Sequence, residues 1–134
     1  MRDKIEQFLR SPAFGVVGAS SDQNKYGNKV LRCYMQHHKK AYPINPNEKT
    51  IEGQSCFDSI AMLPTDVHSI SIITPPSITE KIVQQAIRKG IKNIWMQPGA
   101  ESHQAIQYCE THHINLIAGG PCILVELGFS EHSE

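Results

Sequence analysis

From Phe14 to Ala118 the chain alternates short apolar runs with longer stretches in which apolar residues recur every third or fourth position. Short runs rich in β-branched or aromatic residues predict buried strands, and the longer period predicts helices with one face on a core. Phe14-Gly15-Val16-Val17 is the first such strand. Val30, Leu31, Tyr34 and Met35 then mark one face of a helix over 27–38. Ala41-Tyr42-Pro43-Ile44 is a second, short strand, and Pro43, with no N–H for a ladder, predicts an edge or terminal position.

Pro46, Asn47 and Gly53 signal irregular chain, followed by a minor extended piece at 54–57 and a short helix beginning near Asp58. Ser69-Ile70-Ser71-Ile72-Ile73-Thr74 is the next clear strand, stopped by Pro75-Pro76. Ser77 with Glu80 three positions on predicts a capping box, and Ile78, Ile82, Val83, Ala86 and Ile87 carry the helix to Lys89-Gly90. A strand at 93–96 leads through Gln97-Pro98-Gly99 to a helix over 102–113. The last strand, 114–118, runs into Gly119-Gly120-Pro121-Cys122, and the polar residues 130–134 are expected to fray.

Strands that alternate with helices in this way predict an α/β chain: a Rossmann-like three-layer α/β/α domain with a mainly parallel sheet of about five strands. The whole length, 1–134, fits one domain. In such a fold the segments at 18–26, 45–47, 74–77, 97–101 and 119–122 all follow strand carboxyl ends, the edge where ligands bind.

Charge narrows the choice of ligand. Thirteen basic and thirteen acidic residues cancel, so bulk charge gives no general attraction to nucleic acid or to an anionic membrane. The N-terminal residues lack a signal-peptide core, and no apolar run is long enough to span a bilayer, so a cytoplasmic protein is expected. Cys33, Cys56, Cys109 and Cys122 are dispersed and read as reduced thiols.

The most informative loop is Gly18-Ala19-Ser20-Ser21-Asp22-Gln23-Asn24-Lys25-Tyr26-Gly27, between the first strand and its helix. It brings hydroxyls, a lysine and backbone N–H groups to a helix N-terminus, which suits a phosphate. Neither the G-x-G-x-x-G nor the G-x-x-x-x-G-K-[ST] spacing is present. A dinucleotide site also wants an acid after the second strand for the ribose hydroxyls, and Asn45-Pro46 stands there instead.

Gly15-Val16-Val17-Gly18-Ala19-Ser20, Lys25-Tyr26-Gly27, Tyr42-Pro43-Ile44-Asn45-Pro46 and Ile94-Trp95-Met96-Gln97-Pro98-Gly99 together resemble the small stand-alone CoA-binding proteins. Their domain is similar to the nucleotide-binding domain of succinyl-CoA synthetase alpha subunits, and the resemblance runs from Ile5 to Leu127. It implies CoA or an acyl-CoA as ligand. Gly18, Ser20 and Lys25 would lie around the phosphates, with Ala19 and Tyr26 as further ligand-binding residues of the same loop and Asn45 and Pro46 on the neighbouring loop. Thr74 and Pro75 would edge the adenine, Gln97 and Gly99 would face the pantetheine arm, and Cys122 would be the ligand-binding cysteine close to the cleft. The chain stops short of a ligase domain with its phosphorylatable histidine, so a binding, sensing or carrier role without catalysis is expected. Gly120-Pro121-Cys122 lacks the asparagine and second proline of the synthetase's Gly-Pro-Asn-Cys-Pro turn.

Other chemistry has less support in the residues. Cys122 near the cleft would suit thiol exchange or acyl transfer, but no Cys-His-acid spacing accompanies it. Cys109 and His113 offer two ligands at helical spacing, too few for a closed metal site. Trp95 and Met96 read as core residues on opposite faces of a strand. An NAD(P)-linked redox enzyme or sensor, and a domain that binds a partner protein or a second copy of itself, remain the competing readings.

Overall fold

The computed structural model describes residues 1–131. Helix α1 (Arg2–Leu9) precedes β1 (Ala13–Val17), α2 (Tyr26–Gln36) and β2 (Lys40–Ile44). A small hairpin of β3 (Thr50–Ile51) and β4 (Gln54–Ser55) leads through a 3-10 turn, Ile60–Met62, to β5 (Val67–Ile72). Then follow α3 (Pro76–Lys89), β6 (Asn93–Met96), α4 (His103–Thr111), β7 (Asn115–Ile117) and a π-helical turn, Leu124–Gly128.

Five strands form a parallel sheet in the order β2-β1-β5-β6-β7. The chain leaves β1 toward β2, then returns to lay β5 on β1's other side, so the winding reverses between β1 and β5. Loops diverge from that point and open a crevice at the strands' carboxyl ends. Pro43 lies in the edge strand β2, as its missing N–H requires.

Strand alternation divides the core into two layers. Ile70, Ile72, Ile94, Met96 and Leu116 pack with Val83 and Ala86 of α3 and Ala105 and Cys109 of α4. Phe14, Val16, Trp95 and Ile117 pack on the other face with Phe8 of α1 and Val30, Leu31 and Tyr34 of α2. Trp95 and Met96 therefore occupy opposite faces, both fully buried. On the α1–α2 face β5 presents two serines, which fasten the helices to the sheet. Ser69 donates to the Phe8 carbonyl at 2.8 Å, and Ser71 lies 2.6 Å from the Tyr34 hydroxyl. Burial drives the Tyr34 phenol far above its ordinary range, so it stays protonated.

Several boundaries differ from the sequence expectation. Helix α1 was not expected, although Ile5, Phe8 and Leu9 repeat at helical spacing. The extended piece at 54–57 shrinks to β4, with Phe57 bridging to Ile44, and the helix near Asp58 is a single 3-10 turn. The capping box at Ser77 does not form: Pro75 is the N-cap and Pro76 opens α3, its fixed φ suited to a first helical position. Thr79 supplies the local bond instead, its hydroxyl 2.7 Å from that of Thr74. Ser102 does cap α4, accepting from the Ala105 N–H at 3.0 Å. Of the segment expected to fray, residues 132–134 lie outside the described residues. Ser130 exchanges two hydrogen bonds with Gln36, and Glu131 pairs with Lys29 at 3.0 Å.

Two glycines set the approach of β1 to its neighbours. A Cβ on Gly27 would overlap the carbonyl oxygen of Gly18, and one on Gly18, at φ +90°, would overlap the carbonyl oxygen of Ile73. Gly27→Ala is expected to destabilise the fold by about 2 kcal/mol or more, because backbone, not a flexible side chain, must yield. Urea unfolding measures this; an unchanged midpoint would show that the helix can stand further from the sheet.

Candidate functional site

The loop after β1 is more occupied than its sequence suggests. Five of its N–H groups already have acceptors: Gly18 in the Ile44 carbonyl at 3.3 Å, Ser21 in Glu48 Oε2 at 3.1 Å, Asp22 in Ser20 Oγ at 3.0 Å, Asn24 in Asp22 Oδ1 at 2.9 Å, and Lys25 in the Asp22 carbonyl at 3.0 Å. The expectation of generally free donors is therefore corrected, because Asp22 and Ser20 close local turns. Besides that of Gln23, the N–H groups of Ala19, Ser20, Tyr26 and Gly27 have no protein acceptor among the described residues. These four lie at the strand exit and the first turn of α2, where partial positive charge is concentrated.

Neighbouring elements hold this loop in place. Asn45 Nδ2 donates to the Ala19 carbonyl at 2.9 Å, joining the β1 and β2 exits. Buried Asn28 donates to the Ser20 carbonyl and to Glu52, both at 2.9 Å, and accepts from Arg32 Nε at 2.5 Å. Hydrogen bonds from Asn28 and Gln23 hold the Glu52 carboxyl below its ordinary range.

Two clefts flank the point where the winding reverses. The first, about 350 Å³, is lined by Gly18, Asn45, Pro46 and Thr74 together with Ile60, Ile78 and Ile82. Its walls belong to the α3 side of the sheet and are mainly apolar. The second, about 270 Å³, lies on the α2 side between Tyr26, Ile73, Gln97, Pro98 and Cys122. Gly18 and Ile73 touch between them. A groove of about 400 Å³ at Ser59, Ala61, Gln85, Arg88 and Lys89 continues from the first cleft along α3, away from the carboxyl edge.

Gln97 organises the second cleft. It is 3% exposed, donates from Nε2 to Cys122 Sγ at 3.3 Å and accepts the Ile123 N–H on Oε1 at 2.9 Å. Trp95, a strand residue facing α2, donates its indole N–H to the Pro121 carbonyl at 3.0 Å. Trp95 on β6 and Gln97 just past its end, two positions apart, thus fix the Gly120-Pro121-Cys122 turn. Burial pushes the Cys33 thiol behind this turn up to about 11, with Cys122 adding to the rise. Burial also pushes Cys109 up to about 12. Both fully buried thiols are protonated and unreactive at neutral pH, leaving Cys122 as the cleft thiol.

Seven of the twelve expected residues line a cleft: Gly18, Asn45, Pro46 and Thr74 the first, Tyr26, Gln97 and Cys122 the second. Ser20 and Lys25 sit on the loop between, the Lys25 ammonium with no ion pair among the described residues. Ala19 turns its methyl into the core and offers only backbone. Pro75 and Gly99 are exposed at the rim, the Gly99 N–H bound to Glu101. Unexpected in the site are Ile78 and Ile82, whose helical spacing reads as core, and Glu48 and Glu52, whose sequence surroundings carry no recognisable motif.

A family model described as a CoA binding domain matches residues 13–128. The chain belongs to the CoA binding domain family. It is 22% identical over 129 residues to ADP-forming acetate–CoA ligase I of Archaeoglobus fulgidus, and 27% identical over 92 residues to the ADP-forming acetate–CoA ligase of Methanocaldococcus jannaschii. Those alignments cover 89% and 68% of this chain but only 19% and 13% of the ligases. Among solved structures, a conserved hypothetical protein from Pyrococcus furiosus shares 36% identity at a TM-score of 0.81, over 85% of this chain and 97% of that one. A dinucleotide-forming acetyl-coenzyme A synthetase from Ca. Korarchaeum cryptofilum shares the fold at a TM-score of 0.74 and 24% identity, over 88% of this chain and 27% of its own. The resemblance to CoA-binding domains and the Rossmann-like α/β class are thus both borne out.

Replacing Gln97 by leucine is expected to cost about 1–3 kcal/mol, since the buried Ile123 N–H loses its acceptor. Urea unfolding of Gln97→Leu, with stability equal to wild type, would show that the turn holds without it.

Proposed function

We propose that this domain binds CoA or an acyl-CoA across its carboxyl edge, as a binding, sensing or carrier module without catalysis of its own. The observation that carries the reading is the pair of clefts on opposite sides of the sheet, with unpartnered loop N–H groups between them. CoA has the same division: a flat base, a diphosphate and a thin arm ending in a thiol. The apolar cleft at Thr74, Ile78 and Ile82 suits the adenine. Ala19 and Ser20 N–H groups, helped by Lys25, suit the diphosphate. The narrower cleft then takes the pantetheine arm toward Gln97 and Cys122.

A dinucleotide fits less well. Asn45 at the end of β2 spends its amide on the Ala19 carbonyl and its Oδ1 on the Asn47 N–H, leaving no carboxylate for a ribose diol. The alignments cover only 19% and 13% of the two ligases, so the reading takes over the CoA binding of the shared domain and not their ligation chemistry. No carboxylate pair or cysteine–histidine pair meets in either cleft among the described residues.

Calorimetric titration with CoA, NADH and NADPH in parallel tests the reading. CoA is expected to bind and, at a hundredfold excess over its Kd, to add on the order of 2.7 kcal/mol of stability, seen as a rise in Tm. Lys25→Gln is expected to weaken CoA about three- to tenfold while leaving Tm without ligand unchanged. Preference for NADH or NADPH, or no heat with CoA, would overturn it.

A further inference from the structure

The loop proposed to hold the diphosphate already carries an anion belonging to the protein. Glu48, from the loop after β2, places Oε2 3.1 Å from the Ser21 N–H. That donor directly follows the unpartnered N–H groups of Ala19 and Ser20, so it belongs to the same short run of backbone. No lysine or arginine pairs with Glu48 among the described residues. Its own backbone is lightly tied, with the N–H 3.5 Å from the Asn45 carbonyl.

Glu52 makes a useful contrast. It stands at the turn between β3 and β4 with φ +51°, and its carboxylate is held by Gln23 at 3.0 Å and Asn28 at 2.9 Å. Asn28 is fully buried and also bound to Arg32. Glu52 therefore anchors the hairpin to α2 through several bonds, whereas Glu48 reaches the loop through one exposed bond. The first is a hinge point, the second a releasable latch.

We infer that Glu48 is an internal competitor for the diphosphate. Its carboxylate holds the Ser21 N–H in the free protein and leaves when a phosphate oxygen takes that donor. Two anions cannot share one N–H, and like charges this close repel. Glu48 thereby lowers ligand affinity and makes the segment between β2 and β3 respond to occupancy, while Glu52 keeps the hairpin attached. The inference rests on the reading of this loop as a diphosphate site.

Glu48→Ala and Glu48→Gln test it, with Glu6→Gln on α1 as a control for net charge. Inorganic pyrophosphate and CoA are titrated separately, followed by the Ser21 amide resonance and by calorimetry. Glu48→Ala is expected to bind both about three- to tenfold more tightly than wild type, Glu48→Gln to lie between, and Glu6→Gln to match wild type. The Ser21 resonance should move in ligand-free Glu48→Ala and move again with pyrophosphate. Equal or weaker binding in Glu48→Ala, or a Ser21 resonance that neither the substitution nor pyrophosphate moves, would overturn the inference. If CoA binds all variants equally, the latch fails and the CoA reading survives. If pyrophosphate shows the gain and CoA binds none of them, the CoA reading fails and the latch stands.

Discussion

The backbone contact of Gly18 with Gly27 on one side and with Ile73 on the other is the constraint on which the site depends. Neither glycine has room for a methyl group, so the β1 exit, the first turn of α2 and the β5 exit meet as bare backbone. This contact fixes the N-terminus of α2 over the end of β1. It also closes the crevice at its centre, leaving one cleft on each side of the sheet instead of a single trough. A ligand that uses both must cross the loop at 18–21, where the remaining backbone donors lie.

The rest of the fold holds that crossing rigid. Ser69 and Ser71 tie α1 and α2 to the sheet through buried hydrogen bonds, and Trp95 spans from the core to the Pro121 carbonyl. Gln97, the next residue but one, carries the same support to Cys122 and Ile123. Alternation along one strand thus explains why a core residue and a site residue lie two positions apart. The second cleft is built on a strand end and not on a free loop.

Most of the architecture was legible because period and punctuation agree. Pro43 foretold an edge or terminal position, the β-branched run before Pro75-Pro76 a strand, and Ser102 a helix start. Helix α1 escaped because eight residues without a side-chain cap carry little local signal and are held by Phe8 against Trp95 and Phe14. The Ser77 box lost to Pro76, whose fixed geometry starts the helix two residues earlier. Within the candidate site, residues named by strand-end position lie on or beside the two clefts. Those that reach it across long sequence separations were not legible: Glu48 meets Ser21 over 27 positions and Glu52 meets Asn28 over 24, and no local pattern encodes either. Ile78 and Ile82 fall on the expected helix, but their part in a cleft was not legible, since a helix face turned to a cleft repeats with the same period as one turned to a core.

The central claim is that one ligand occupies both clefts by crossing between them. Amide chemical-shift mapping of the protein saturated with CoA tests it most directly. The account predicts concerted shifts at Thr74 and Ile78 in the first cleft, at Ala19 and Ser20 on the crossing, and at Gln97 and Cys122 in the second. Shifts confined to one cleft, or gathered along the groove at Gln85 and Arg88, would contradict it.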